Sequence, residues 1–428
     1  MRVLWFTDSQ PQAMRRRLGL PDRPGPQAWV DALAARLSME PGLELAIATW
    51  GERPLQPFAD GGIVYYVLPM PSASSRVGRI VADWQHDLPS VARLDAAVAL
   101  VREIVPSIVH VHGTEGAFGL LAPMVTPTPC VISLQGILQA WERLYFAGRS
   151  AADMVRFATS VEFLKGRGVL HDYLLLRRRA RREACIMRGA RWFIGRTDWD
   201  RAVLAAVNPA AAYYHCDEIM RAPFYAAAWT STGKAGARLY STSSDLMGKG
   251  TECLLQAVAI LGCRGVGSVR LRVAGVRPGS ELDRAYRRAA RLWGVEQCVD
   301  WLGRLDAAHI VGELLAADLF VYPSHVDNSP NAVVEAMTVG VPIVAARVGG
   351  VPSLVRNEEE GLLVPRGDAA GLAGAVDALL SDCAKAARLG AAARLTALRR
   401  NDPASITART VGIYQEIITA AAVCRART

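Results

Sequence analysis

Short aliphatic and β-branched runs alternate with longer stretches of helical periodicity along most of the chain. Apolar runs separated by amphipathic segments predict parallel strands buried between helices. The first series falls at RVLWFT (2–7), LELAIATW (43–50), GIVYYVLP (62–69), IVHVHG (108–113), CVISLQG (130–136) and RWFIGR (191–196). The alternation pauses at APFYAAAWTSTGKAG (222–236), where Gly, Ser and Thr break the periodicity. It resumes with ARLYST (237–242), RLRVAG (270–275), VDWLG (299–303), LFVYPS (319–324), PIVAAR (342–347) and GLLVP (361–365). The expectation is two open α/β domains with doubly wound parallel sheets, over residues 1–222 and 237–401, joined by a linker at 223–236. A last helix over 402–428, with Asp402 as N-cap and Pro403 at its first position, is placed to pack back on the N-terminal domain. In such sheets ligands bind outside the carboxyl ends of the strands, so chemistry is sought in the loops that follow them.

Size and charge narrow the classes. With 51% of its 428 residues apolar, the chain can bury a core in each half. The excess of 49 Lys+Arg over 40 Asp+Glu suits anionic partners, whether phosphates, acidic lipid or nucleic acid. The cysteines (130, 185, 216, 253, 263, 298, 383, 424) include no Cys-x-x-Cys and read as reduced thiols rather than a disulfide framework or zinc site. Met1 leads directly into a strand-like segment, without the basic, apolar and cleavage regions of a signal peptide. No stretch reaches the roughly 20 apolar residues that span a bilayer. A cytoplasmic protein, at most peripheral on the inner face of a membrane, is therefore expected.

The richest loop follows LFVYPS and reads HVDNSPNAVVEAMTVGVP (325–342). Ser329 as N-cap and Pro330 at the first helical position would start a helix that carries Asn331 and Glu335 on one face. Its exposed N–H groups and dipole suit a phosphate, with Asp327 in the loop above. Carboxylates accept paired hydrogen bonds from vicinal hydroxyls, so a phosphate site between Asp327 and Glu335 points to a sugar nucleotide. The alternative from spacing alone is that Asp327 and Ser329 only cap a helix and Glu335 is solvated.

DNSPNAVVEAMTVGVPIVAARVGGVPSLV, followed by EGLLVPRGD, resembles the donor-binding segment of family 4 glycosyltransferases of the GT-B fold. That fold is a pair of Rossmann-like domains facing across a cleft. The family motif is Glu, seven residues, Glu, then a Gly-Gly turn; here Asp327 replaces the first acid. The resemblance implies that Glu335 holds the nucleotide ribose, that Asp327, Asn328, Ser329 and Asn331 face the donor sugar, and that Gly349-Gly350 form the turn. In LMGKG (246–250), Lys249 matches the lysine on the donor diphosphate; read alone, it is a surface lysine near a helix end. Ser243 and Ser244 stand where the family usually has an arginine. Ser244, Gly275 and Arg304 are assigned to the same donor side.

In the N-terminal half, IVHVHG matches a strand-end histidine motif, with His112 at the loop as a catalytic candidate for the interdomain cleft and His110 on the strand as a core histidine. Gln135 stands where many relatives have a histidine; it can position a hydroxyl but cannot titrate. Gly25, in RPGPQAWV, best matches a diphosphate-loop glycine, although a Gly-Pro turn without ligand accounts for it equally. WFIGRTDWDRA and YYHCDEIMRAPFY resemble a bacterial subgroup that builds surface polysaccharides, which places Arg196, Glu218 and Arg221 in the cleft near the hinge; an interdomain ion-pair cluster is the alternative. The arginine run at 177–182 is either a solvated helix face or a patch for anionic lipid or a lipid-linked pyrophosphate. No nucleic-acid recognition motif accompanies it.

These readings converge on transfer of a hexose from a nucleoside diphosphate sugar to a glycan or lipid-linked acceptor. The resemblance implies retention and no metal or other cofactor; no Asp-x-Asp motif is present. The rivals are a sugar nucleotide epimerase or hydrolase on the same architecture, and a non-catalytic sugar-nucleotide-binding subunit.

Overall fold

The computed structural model describes residues 1–20, 28–53, 55–70, 94–147, 168–231, 237–265 and 269–427, with positions 75, 78, 81, 149, 152, 161–164 and 166. The N-terminal sheet contains β1 (Arg2–Thr7), β2 (Glu44–Gly51), β3 (Phe58–Asp60), β4 (Ile63–Pro69), β5 (Ile108–His112), β6 (Cys130–Ser133), β7 (Trp192–Gly195) and β8 (Ala212–His215). Their order is β3-β4-β2-β1-β5-β6-β7-β8, with β3 antiparallel at the edge. The second sheet, β11-β10-β9-β12-β13-β14, is parallel throughout. Its strands are β9 (Ala237–Thr242), β10 (Val269–Ala274), β11 (Val299–Gly303), β12 (Leu319–Tyr322), β13 (Ile343–Ala346) and β14 (Leu362–Val364). Each predicted strand is present; CVISLQG leaves the sheet at Ser133, which frees Gln135 in the following loop.

Two stretches pack differently from the sequence expectation. Met220, Phe224 and Ala227 are buried in the apolar cluster that includes Phe320 and Val333, and Trp229 Nε1 donates to Ala317 O at 2.7 Å. The first part of the expected linker is thus anchored on the C-terminal domain, and 232–236 lie outside the described residues. His112, expected at a loop, is instead the last residue of β5 and 1% exposed. Its strand runs between β1 and β6, so the ring is enclosed by Trp5, Trp29 and His110.

The last helix, Pro403–Arg427, is capped by Asp402, whose Oδ2 accepts from Ser405 N at 2.7 Å. It buries Ile406, Ile413, Tyr414 and Ile417 among Val3, Trp5 and Ile47 of the N-terminal sheet. Trp5 Nε1 donates to Tyr414 Oη at 2.9 Å, and His110 bridges Tyr414 Oη (2.6 Å) and Ser133 Oγ (2.7 Å). The tautomer that gives Trp5 Nε1–H, Tyr414 O–H and the imidazole N–H an acceptor each has Tyr414 donating to Nδ1 and Nε2–H donating to Ser133. Burial holds the His110 pKa down to about 3, so the ring is neutral in the fold.

Below pH 6.5 the unfolded chain takes up a proton that folded His110 refuses, so its contribution to stability is present above pH 6.5 and is lost as pH falls toward 3. The slope is on the order of 1 kcal/mol per pH unit. Replacing His110 with Gln is expected to flatten the decline in unfolding free energy between pH 6 and 4. Parallel pH curves for the two proteins in urea titrations would show that His110 stays protonatable in the fold.

Candidate functional site

Loops that leave the carboxyl ends of both sheets meet in the cleft. After Tyr322 the chain runs through Asp327 and Asn328 to Pro330, which keeps extended dihedrals (φ −67°, ψ 114°). The helix therefore spans Asn331–Val339, with Pro330 at the N-cap and no side-chain cap. This corrects the expectation of Ser329 as N-cap and Pro330 as a helical residue: the extended ψ at Pro330 delays the first turn by one position. Asn331 and Glu335 still share a face.

Asp327 Oδ2 accepts from Lys249 Nζ at 2.6 Å and from Tyr322 Oη at 2.5 Å, while its Oδ1 accepts from Asn328 N at 3.0 Å. Lys249 reaches it from the turn before the helix Thr251–Cys263. Gly250 makes that turn possible: its φ is +71°, and an added Cβ would lie 1.9 Å from Pro323 O. The lysine loop is thereby pressed onto the 323–327 loop. Gly349 plays the same part below, with φ +48° and an added Cβ 1.9 Å from Asp327 O. The lysine and aspartate side chains are 16% and 15% exposed, enough to exchange partners with a ligand.

Glu335 is buried and accepts from Arg221 Nη2 at 2.5 Å. Burial pushes its pKa up and the guanidinium opposes that shift. Nearby, Glu218 pairs with Arg196 Nη1 at 2.6 Å, and burial raises its pKa against the same kind of opposition, with Gln135 and Asn331 also beside it. Arg196 Nη2 also donates to Gln135 Oε1 (3.0 Å) and O (3.1 Å). Asn328 closes the seam: Oδ1 accepts from Thr197 Oγ1 at 2.7 Å, and Nδ2 donates to Asp200 Oδ2 at 2.9 Å and Gln135 O at 3.1 Å. Arg221 pairs with Glu335 across the two domains, whereas Arg196 and Glu218 pair with each other within the N-terminal domain.

The remaining predicted residues divide. Ser244, whose Oγ accepts from Leu246 N at 3.1 Å, and Gly275, whose added Cβ would lie 2.1 Å from Ser243 O, belong to the lysine loop and its neighbour. Arg304 is on the rim, 73% exposed and paired with Asp245 at 3.0 Å. Gly25 lies outside the described residues. His112 is set back from the other site residues in a cavity of about 30 Å³ shared with Gln135, Arg196 and Glu218, and neither ring nitrogen has a hydrogen-bond partner. A larger opening of about 390 Å³ is bordered by Asp217, Ser353, Arg356 and Arg400; of the predicted site residues only Arg196 reaches it. Arg177, Arg178 and Arg181 are exposed on the helix Val169–Gly189, whereas Arg182 turns inward to Glu115 O.

Sequence reasoning passed over Trp141, Tyr322, Thr197 and Asp200. The last two had a signal: Thr197-x-x-Asp200 has the spacing of a capping box, and both of its reciprocal bonds form. Trp141 and Tyr322 had none, because their role arises from contact with Lys249 (4.9 and 5.8 Å from ring centroid to Nζ). Chemically, the cleft brings together a lysine at a helix start, the carboxylates of Asp327 and Glu335, and the amides of Asn328 and Gln135. No group of three or more His, Cys, Asp or Glu is placed to hold a metal among the described residues, and no described helix is long and apolar enough to cross a membrane.

Residues 240–382, most of the C-terminal domain, match the family model described as "Glycosyl transferases group 1". Over 148 residues the chain is 34% identical to a D-inositol 3-phosphate glycosyltransferase of Corynebacterium aurimucosum, covering 34% of this chain and 35% of that one. It is 32% identical over 131 residues to the putative colanic acid biosynthesis glycosyltransferase WcaL of Escherichia coli, covering 29% and 31%. The chain thus spans about a third of the length of the curated relatives it matches. Among solved structures, sucrose-phosphate synthase from Thermosynechococcus elongatus superposes with a TM-score of 0.72 at 18% identity, covering 98% of this chain and 100% of that one. Anabaena HepE, solved with UDP, gives 0.64 at 18% identity, covering 97% and 100%. The fold is that of the GT-B glycosyltransferases, and the sequence resemblance to group 1 transferases holds over the C-terminal domain.

Proposed function

We propose that the protein is a hexosyltransferase that moves a sugar from a nucleoside diphosphate donor to a glycan or lipid-linked acceptor, with retention and without a metal. The observation that carries this reading is the Lys249–Asp327 pair, 2.6 Å apart at the start of the helix Thr251–Cys263. A diphosphate that takes over the lysine leaves Asp327 to accept donor-sugar hydroxyls, and the helix N-terminus adds partial positive charge. Glu335, buried four positions into its helix, is assigned the ribose hydroxyls. Gln135 positions without transferring protons, and Lys249 with the helix start offsets charge on the departing diphosphate. UDP in the similarly folded HepE supports a nucleotide donor. The exposed Arg177, Arg178 and Arg181 offer charge to a phosphate-bearing acceptor or anionic headgroups.

Epimerisation or hydrolysis would require a positioned acid and base in the N-terminal domain. Gln135 cannot titrate, His110 and His112 are enclosed within their sheet, and the Glu218 carboxylate is committed to Arg196. Release of nucleoside diphosphate from UDP-, GDP- and ADP-hexoses, with and without a lipid-linked saccharide fraction, tests the reading. Release that rises with acceptor is expected from one donor. Donor binding without release from any of them would instead describe a binding subunit.

A further inference from the structure

We propose that Trp141, an N-terminal-domain residue, is a positioning residue for the donor diphosphate: its indole holds the Lys249 ammonium, so the phosphate subsite is assembled from both domains. This rests on the donor-site reading above.

Trp141 sits on the helix Leu138–Leu144, with its ring centroid 4.9 Å from Lys249 Nζ and only 8% of its surface exposed. Tyr322 of the C-terminal domain faces the same ammonium, its ring centroid 5.8 Å away and its Oη 3.3 Å from Nζ. The contact is built into the backbone. Gly248 has φ +87°, and an added Cβ would stand 3.4 Å from Trp141 Cζ3 and 3.5 Å from Leu144 O, so the lysine loop runs directly beneath this helix. The same segment continues its hold on the C-terminal domain: Tyr145 is buried with Met247 and Leu254, and Arg149 pairs with Glu252 at 3.5 Å in the first turn of the helix that follows Lys249.

A lysine on a four-carbon stem loses much rotamer freedom when a ligand fixes it. An aromatic face restrains the ammonium through its π electrons, and does so without consuming the N–H groups that phosphate oxygens need. Asp327 also restrains Lys249, but it occupies one of the three N–H groups for which phosphate oxygens would compete. Trp141 can stay in place through that exchange. Because it comes from the other domain, this aromatic contact is made only while the two domains are seated together.

The test is calorimetric binding of UDP, GDP and ADP, and of the corresponding monophosphates, to wild type and to Trp141→Ala, Trp141→Leu and Trp141→Phe. Loss of the π face is expected to weaken diphosphate binding about tenfold in Trp141→Ala and Trp141→Leu, with Trp141→Phe restoring most of it. Monophosphate binding should stay within about twofold, because the ribose site assigned to Glu335 does not involve Trp141. If Trp141→Ala does not fold, the Leu and Phe pair decides, since both keep an apolar side chain and only one keeps a ring. Wild-type diphosphate affinity in Trp141→Leu, or equal losses of mono- and diphosphate, overturns the inference while leaving the donor site standing. Absence of nucleotide binding by the wild type overturns the donor-site reading and this inference with it.

Discussion

Replacing Glu335 with alanine is expected to abolish stabilisation by any nucleotide and to lower the stability of the free protein by about 3 kcal/mol. The second effect follows from the partner left behind. Arg221 donates to Glu335 at 2.5 Å, and without the carboxylate a mostly buried guanidinium has lost its counter-charge. Because the arginine side chain is 23% exposed and water relieves part of the penalty, the figure sits at the lower end for a broken buried pair. Glu335→Gln separates the two effects. It keeps the volume and one acceptor for Arg221, so most stability returns, but a neutral amide cannot receive two ribose hydroxyls as a carboxylate does. Chemical denaturation reports the first quantity and nucleotide-dependent melting the second. An unchanged nucleotide shift in the alanine variant would remove Glu335 from the ribose.

Lys249→Met should cost about 10²–10³-fold in kcat. Methionine preserves much of the apolar stem between Trp141 and Tyr322 but removes the charge that, on the proposed reading, meets the departing diphosphate. Asp327 keeps its bond from Tyr322 Oη, so the fold is expected to survive the change better than it survives loss of Glu335. Steady-state kinetics on the accepted donor measures the effect. A kcat within about threefold of wild type would mean that the lysine serves its ion pair with Asp327 rather than the reaction.

The twelve predicted strands were legible from their apolar and β-branched runs, buried on both faces in the central strands such as LFVY and IVAA and partly exposed in IVYYVLP and VDWLG. Two edge strands escaped. Phe58–Asp60 is three residues long and mostly exposed, and Ala212–His215 is only partly buried, so neither carries an uninterrupted apolar run. The candidate site divides in the same way. Asp327, Asn331 and Glu335 cluster within one short segment, where local spacing carries the signal. Their partners come from far away in sequence: Lys249 lies 78 positions from Asp327, Arg221 lies 114 from Glu335, and Gln135 lies 193 from Asn328. No periodicity encodes such pairs: Lys249 and Asp327 meet because β9 and β12 are neighbours in one sheet, and the other two pairs form only where the two domains meet. His112 fails for a related reason. Its place at the end of an apolar strand resembles a loop position in sequence, but neighbouring strands and two tryptophans enclose it.

These charges in the cleft pair with one another: Lys249 with Asp327, Arg221 with Glu335, and Arg196 with Glu218. A donor that replaces some of these partners must do so with phosphates for the lysine and hydroxyls for the acids. The melting temperature of the wild-type protein with UDP-, GDP- and ADP-sugars therefore tests the central claim most directly. One of these series should raise it, with about 2.7 kcal/mol of stabilisation at 100 times the dissociation constant. A melting temperature that none of them moves, at millimolar concentration, would contradict the donor site.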